Sequence, residues 1–150
     1  MSRYAVSHLT AAGTNLTMIS LCGTASARPM VCHFVIGSPA TPANLAGEFT
    51  LKRITAAPTG GTALTEENID AGTQAGLCTA VGGTMTEPTY AAGTGQEYVG
   101  IGLNQQATFQ WWANPGYEPR VALGTANGIG IRSLAHGGTP NIKTSLMWEE

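Results

Sequence analysis

A chain of 150 residues is one domain by length, spanning 1–150, and buries roughly two-thirds of its unfolded surface without staples. Charged residues make up only 11% against 43% hydrophobic, and the net charge is −2. Arg28, the neighbours Lys52 and Arg53, Arg120 and Arg132 are scattered along the chain, so there is no basic stripe for nucleic acid, and no apolar run approaches a membrane span.

Tyr4, Val6 and His8 alternate with Ala5 and Ser7, which predicts a first strand over Arg3 to His8. Ala12 to Asn15 is a turn, Leu16 to Leu21 a second strand, and Gly23 to Pro29 a loop. Leu16 to Cys22 followed by Ala25-Ser26-Ala27 imitates a secretion signal, but Thr17 and Ser20 interrupt its apolar core, so a strand and turn explain it better. Met30 to Ile36 is the most continuous apolar run of this half and is expected to be buried on both faces. Pro39 and Pro42 make Ser38 to Asn44 an irregular crossing segment.

Phe49 and Leu51 alternate with Thr50 and Lys52 in a further strand, and Ile54 breaks the alternation, which predicts a bulge. Pro58 to Gly61 closes that strand. Glu66, Glu67 and Asp70 crowd Leu64 to Gln74, where Thr65 could cap one helical turn. Thr73 to Gly95, rich in Gly, Thr and Ala, predicts weak strands in long loops.

Tyr98 to Leu134 carries the clearest pattern. Val99, Ile101 and Leu103 alternate with glycines, and Ala107, Phe109 and Trp111 alternate with Thr108, Gln110 and Trp112. Asn114-Pro115-Gly116 breaks the run, Val121 and Leu123 follow, and Asn127-Gly128 is the strongest short hairpin signal, so a β-meander is expected. Beyond it, Ile129 and Ile131 point one way and Gly128, Gly130 and Arg132 the other. The last strand, Asn141 to Trp148, puts Ile142, Thr144, Leu146 and Trp148 on one face.

Eight or nine short strands and no helix of three turns predict an all-β, antiparallel, jelly-roll-like β-sandwich. An immunoglobulin-like sandwich is second, lacking its Cys–Trp–Cys framework. A surface so poor in charge suits a chain covered by copies of itself or by a partner.

The chemistry-bearing residues form no catalytic or metal pattern, so no catalytic residue, metal or cofactor is expected. His8, His33 and His136 share no ligand spacing. His33 fits a hydrogen-bonded core histidine, His136 an exposed loop, and His8 a packed position beside Tyr4 and Val6. Ser133 lies in no nucleophile elbow. Gly93-Thr-Gly95 and Gly100-Ile-Gly102 open no helix that would cradle phosphate; glycines alternating within strands instead suggest close approach of another chain or a tight bend. Cys22, Cys32 and Cys78 are odd in number, form no CxxC pair, and are expected as buried reduced thiols, with a disulfide between any two of them as the alternative. Asn15-Leu-Thr17 matches a glycosylation acceptor that chance explains.

Trp111 and Trp112 are adjacent on a strand, so only one can face the core. If Trp111 joins Phe109 inside, Trp112 faces outward, and outward tryptophans mark protein interfaces or sugar platforms.

RYAVSH, VIGSPATPAN, FTLKRITAAPTGGTALT, EPTYAAG, LNQQATFQWWANPGYE, TANGIGI and the terminal Trp148-Glu-Glu150 resemble, in that order and over nearly the whole chain, small structural proteins of tailed bacteriophages and prophages. The most similar role is a capsid decoration or cement protein. The central QWW and the cysteines depart from the pattern. The resemblance implies a non-enzymatic virion component made in the bacterial cytoplasm and placed on the capsid exterior, a homotrimer bound over major capsid protein contacts. Trp112, Tyr117, Arg120, Arg132 and the C-terminal segment with Trp148 are the expected interface residues. The alternatives are a carbohydrate-binding module of a head or tail appendage, and a tail or connector component.

Overall fold

The computed structural model describes residues 1–150 except Ala71, Thr73 and Thr94. Among the described residues there is no helix. Twelve strands form two antiparallel sheets: β1 (Arg3–Ala11), β2 (Leu16–Cys22), β3 (Met30–Gly37), β4 (Ala46–Ala56), β5 (Thr59–Leu64), β6 (Glu67–Asn68), β7 (Thr79–Thr86), β8 (Thr89–Tyr90), β9 (Val99–Asn104), β10 (Phe109–Trp112), β11 (Gly128–His136) and β12 (Asn141–Glu149). One sheet runs β10-β3-β12-β1-β6. The other runs β5-β7-β2-β11-β4-β8, with β9 beside β8 on β4. The chain is a β-sandwich.

Period-two patterning explains the core. β1 and β12 pair over their whole lengths, from Arg3↔Glu149 to Ala11↔Asn141. Their inward residues are Tyr4, Val6, Ile142, Leu146 and Trp148. Val31, Phe34 and Ile36 of β3 join them, and Ile19, Leu51 and Ile131 of the facing sheet close the apolar layer. Side chains from two inner faces interdigitate in this way in a sandwich. Ile142, Thr144, Leu146 and Trp148 share the buried face, as their spacing predicts.

Several expectations fail on pairing. Tyr98 to Leu134 is not a meander: β9 pairs with β4, β10 with β3, and β11 lies between β2 and β4. Asn127-Gly128 closes no hairpin. It leads into β11 after residues 113–127 have carried the chain from one sheet to the other, and Asn127 shapes a turn by donating its backbone N–H to the Gly124 carbonyl. Val121 and Leu123 belong to no strand, although Arg120 bridges to Met30. The expected helical turn is absent, because Glu67 and Asn68 instead pair with β1. Thr79 to Thr86 is a regular strand rather than a weak one. The four extra strands, β5 to β8, form an insertion between β4 and β9. The irregularity near Ile54 is present as a register shift between Ile54 and Ala56. β3 is buried on one face, while Cys32 and Val35 on the other are half-exposed.

The segment after β7 crosses the outer face of the larger sheet. Glu87 accepts the Thr17 backbone N–H and hydroxyl, and the Tyr90 hydroxyl lies 2.7 Å from Thr17 Oγ1. Tyr90 occupies space that a side chain at Gly130 would fill, which explains why both faces of β11 are buried there. Gly130→Ala drives a methyl into the Tyr90 hydroxyl and against the ring edge and Ile54. It should cost about 1–3 kcal/mol, read as a lower denaturant midpoint with an unchanged slope.

Two histidines pack on glycines. The His8 ring faces Gly82 across the sandwich, and the His136 ring covers Gly47 with its edge against Phe49, centroids 4.7 Å apart. His136 is thus the half-buried last residue of β11, not an exposed loop residue. His8 Nε2 and both ring nitrogens of His136 are buried without a protein hydrogen-bond partner. Burial lowers both histidines below their ordinary 6.5. The unfolded chain therefore binds more protons than the folded one just below that pH, so stability is full above 6.5 and declines as pH falls. Denaturant melts at pH 7.5 and 5 should show this loss, and His8→Gln with His136→Gln should reduce it.

Candidate interaction surface

The surface is built along the edge of the smaller sheet. β10 pairs with β3 through Phe109↔Ile36, Gln110↔Val35, Trp111↔Phe34 and Trp112↔His33. Strand alternation then sorts the two tryptophans. Trp111 tilts onto core Phe34 with centroids 5.4 Å apart, and Trp112 faces outward at 62% exposure. The chain continues along β3 after β10 ends: Ala113 N–H donates to the Cys32 carbonyl, Val31 N–H to Pro119 and Val121 N–H to Pro29. Residues 109–121 are therefore one edge strip. Tyr117 projects from its turn at 84% exposure, where its N–H donates to the Asn114 carbonyl and Gly116 adopts φ +86°.

Beneath Trp112 lies His33. The rings stack with centroids 3.7 Å apart and planes 24° apart, and His33 is only 4% exposed. Neither His33 ring nitrogen has a protein hydrogen-bond partner, which corrects the hydrogen-bonded core histidine expected from sequence. Burial lowers its pKa, so the ring is neutral. Beside the stack is a cavity of about 290 Å³ lined by Cys32, His33, Ile69, Trp112, Met147 and Trp148, and by Arg3 and Glu149. Arg3 Nε–H donates to Glu149 Oε1 at 2.9 Å, so the two charges neutralise one another.

Of the five expected interface residues, the strip brings together Trp112, Tyr117 and Arg120. Arg120 is exposed, with Nη2 2.9 Å from Met30 Sδ. Arg132 belongs to the other sheet, where its guanidinium stacks 5.0 Å from the Tyr90 ring centroid. Trp148 is corrected outright: it is 1% exposed and stacks on Tyr4 in the core, because β12 is an interior strand. The His33 platform was missed, since nothing in the sequence says which strand runs beside β10.

The other chemistry-bearing residues are tied into the fold. Ser133 donates its hydroxyl to the Gly13 carbonyl, and Glu66 accepts the Gly76 N–H. Glu150 accepts the N–H groups of Leu77 and Cys78. All three cysteines are free; Cys22 and Cys78 are buried and Cys32 is half-buried. Burial pushes Cys22 and Cys32 up to about 11 and Cys78 higher still, so all are protonated thiols at neutral pH. Among the described residues no three of His, Cys, Asp and Glu gather as a metal-binding group. No family model matches the chain, and no curated protein or solved structure matches it.

Two substitutions separate surface from core. Trp112→Ala removes one exposed ring and its stack and should cost only about 1 kcal/mol. Trp148→Ala opens a core cavity and should cost about 3–5 kcal/mol. Urea unfolding of the two variants measures both against the parent chain.

Proposed function

We propose that the chain is a non-enzymatic structural protein of a tailed-bacteriophage virion, a capsid cement or decoration subunit. In this reading it assembles as a homotrimer on the capsid exterior and binds over contacts of the major capsid protein. The observation that carries the reading is the edge strip, where Trp112 and Tyr117 stand exposed on a chain of which only 11% of residues are charged. Exposed aromatics of this kind anchor protein interfaces. The likeness of RYAVSH, FTLKRITAAPTGGTALT and LNQQATFQWWANPGYE to phage structural proteins supplies the virion setting.

The jelly-roll form belongs to the same proposal. With β5 to β8 set aside, the remaining eight strands pair in the order 1-8-3-6 in one sheet and 2-7-4-5 in the other, which supports two Greek keys wrapped into a jelly roll. Such a fold hosts many functions, so the site carries the functional reading and the topology does not.

One observation favours a second reading. Trp112 has one face on His33 and the other open beside a cavity, which is also the form of a sugar platform in a carbohydrate-binding module. The test that separates them uses the parent chain and Trp112→Ala with Tyr117→Ala. A cement protein binds undecorated phage capsids with an affinity that falls at least ~10-fold in the double variant, as the loss of an aromatic anchor requires. Glycan-array binding that depends on Trp112, with no capsid binding, contradicts the cement reading.

A further inference from the structure

We propose that Cys32, His33 and Met147 form a binding site for one soft monovalent cation of the Cu(I) class, beside Trp112. The first observation is a β-bulge. Where β3 meets β12, Met147 pairs with His33 and Trp148 with Val31, so Cys32 has no partner of its own. Val31 and Phe34, which flank the pair, are fully buried in the core. Cys32 and His33 both line the outer cavity with Met147. A bulge sets two residues opposite one and re-aims their side chains. Here it gathers a thiol, an imidazole and a thioether on one face.

The second observation is that no protein side chain is hydrogen-bonded to these donors. Both His33 nitrogens are buried without a partner, although the residue is only 4% exposed. Trp112 covers the face of the ring, whereas the single lone pair of the neutral imidazole lies in its plane and has no protein partner. The Cys32 thiol donates to the Met30 carbonyl at 3.4 Å and its sulfur meets the Glu149 backbone, so only main-chain groups hold it. The nearest carboxylate lining the cavity, Glu149, is engaged by Arg3.

The donor set selects the metal. Thiolate and thioether ligands favour Cu(I) over hard cations, which want oxygen. Structural zinc takes four ligands, and this cavity offers three, two of them soft sulfurs. On binding, the Cys32 S–H bond breaks, an S–metal bond forms and the proton leaves to solvent, with no change of oxidation state.

The test titrates the whole chain with Ag(I), a redox-inert analogue, and with Cu(I) kept reduced without oxygen against a chromogenic Cu(I) chelator. Stoichiometry is read by native mass spectrometry. One metal per chain is expected, with tryptophan fluorescence quenched in the parent and the quench largely lost in Trp112→Phe. Cys32→Ser should weaken binding at least ~100-fold and the volume-conserving Met147→Leu about 10-fold, within the range for losing metal-site groups. Cys22→Ser and Cys78→Ser should bind like the parent. Absence of binding, binding that survives Cys32→Ser, or binding lost in the Cys22 or Cys78 variants overturns the site.

Discussion

The fold depends on a single apolar layer shared by two sheets. Its buried members come from both halves of the sandwich: Trp148, Phe34, Ile36 and Ile142 on one side, Ile19, Phe49, Leu51 and Ile131 on the other. Removing such area from water contributes about 25 cal/mol per Å², and the chain has little else to rely on. The ion pair Arg3–Glu149 is surface-exposed, where such pairs contribute about 1 kcal/mol or less. The polar groups that are buried mostly serve the backbone. Thr50 donates to the Val99 carbonyl and joins β4 to β9, while Glu87 satisfies Thr17 and ties the segment after β7 onto β2.

In the proposed reading, that economy of charge makes the edge of the smaller sheet the recognition surface. β10 is only four residues long, as edge strands often are, and the segment beyond it still follows β3 by backbone hydrogen bonds. The exposed aromatics therefore stand on ordered backbone, with Trp112 held flat against His33. A rigid aromatic anchor loses little conformational entropy on docking. The bulge that aims Cys32 and His33 outward serves the same corner of the molecule, so edge, stack and cavity are one construction.

Much of this was legible in advance, and the failures have a common cause. The strands over Arg3–His8, Leu16–Leu21, Met30–Ile36 and Asn141–Trp148 follow from period-two patterning, and so does the outward turn of Trp112. Pairing does not follow, because alternation identifies a strand without naming its neighbour. Val99–Leu103 and Phe109–Trp112 look like successive strands of one meander, yet they lie in different sheets. β7 was undervalued because Gly82 and Gly83 dilute its pattern; Gly82 is small because the His8 ring packs against it. Trp148 was assigned to a surface although it shares a face with Ile142 and Leu146, and that alternation was the better guide. His33 and Met147 could be brought together only by the register of β3 on β12.

The central claim is that this charge-poor sandwich is an assembly subunit that meets copies of itself through its exposed surface. Light scattering after size exclusion, repeated across a wide dilution range, measures this most directly. The account predicts the mass of three chains, unchanged on dilution; a mass of one chain at every concentration would contradict it.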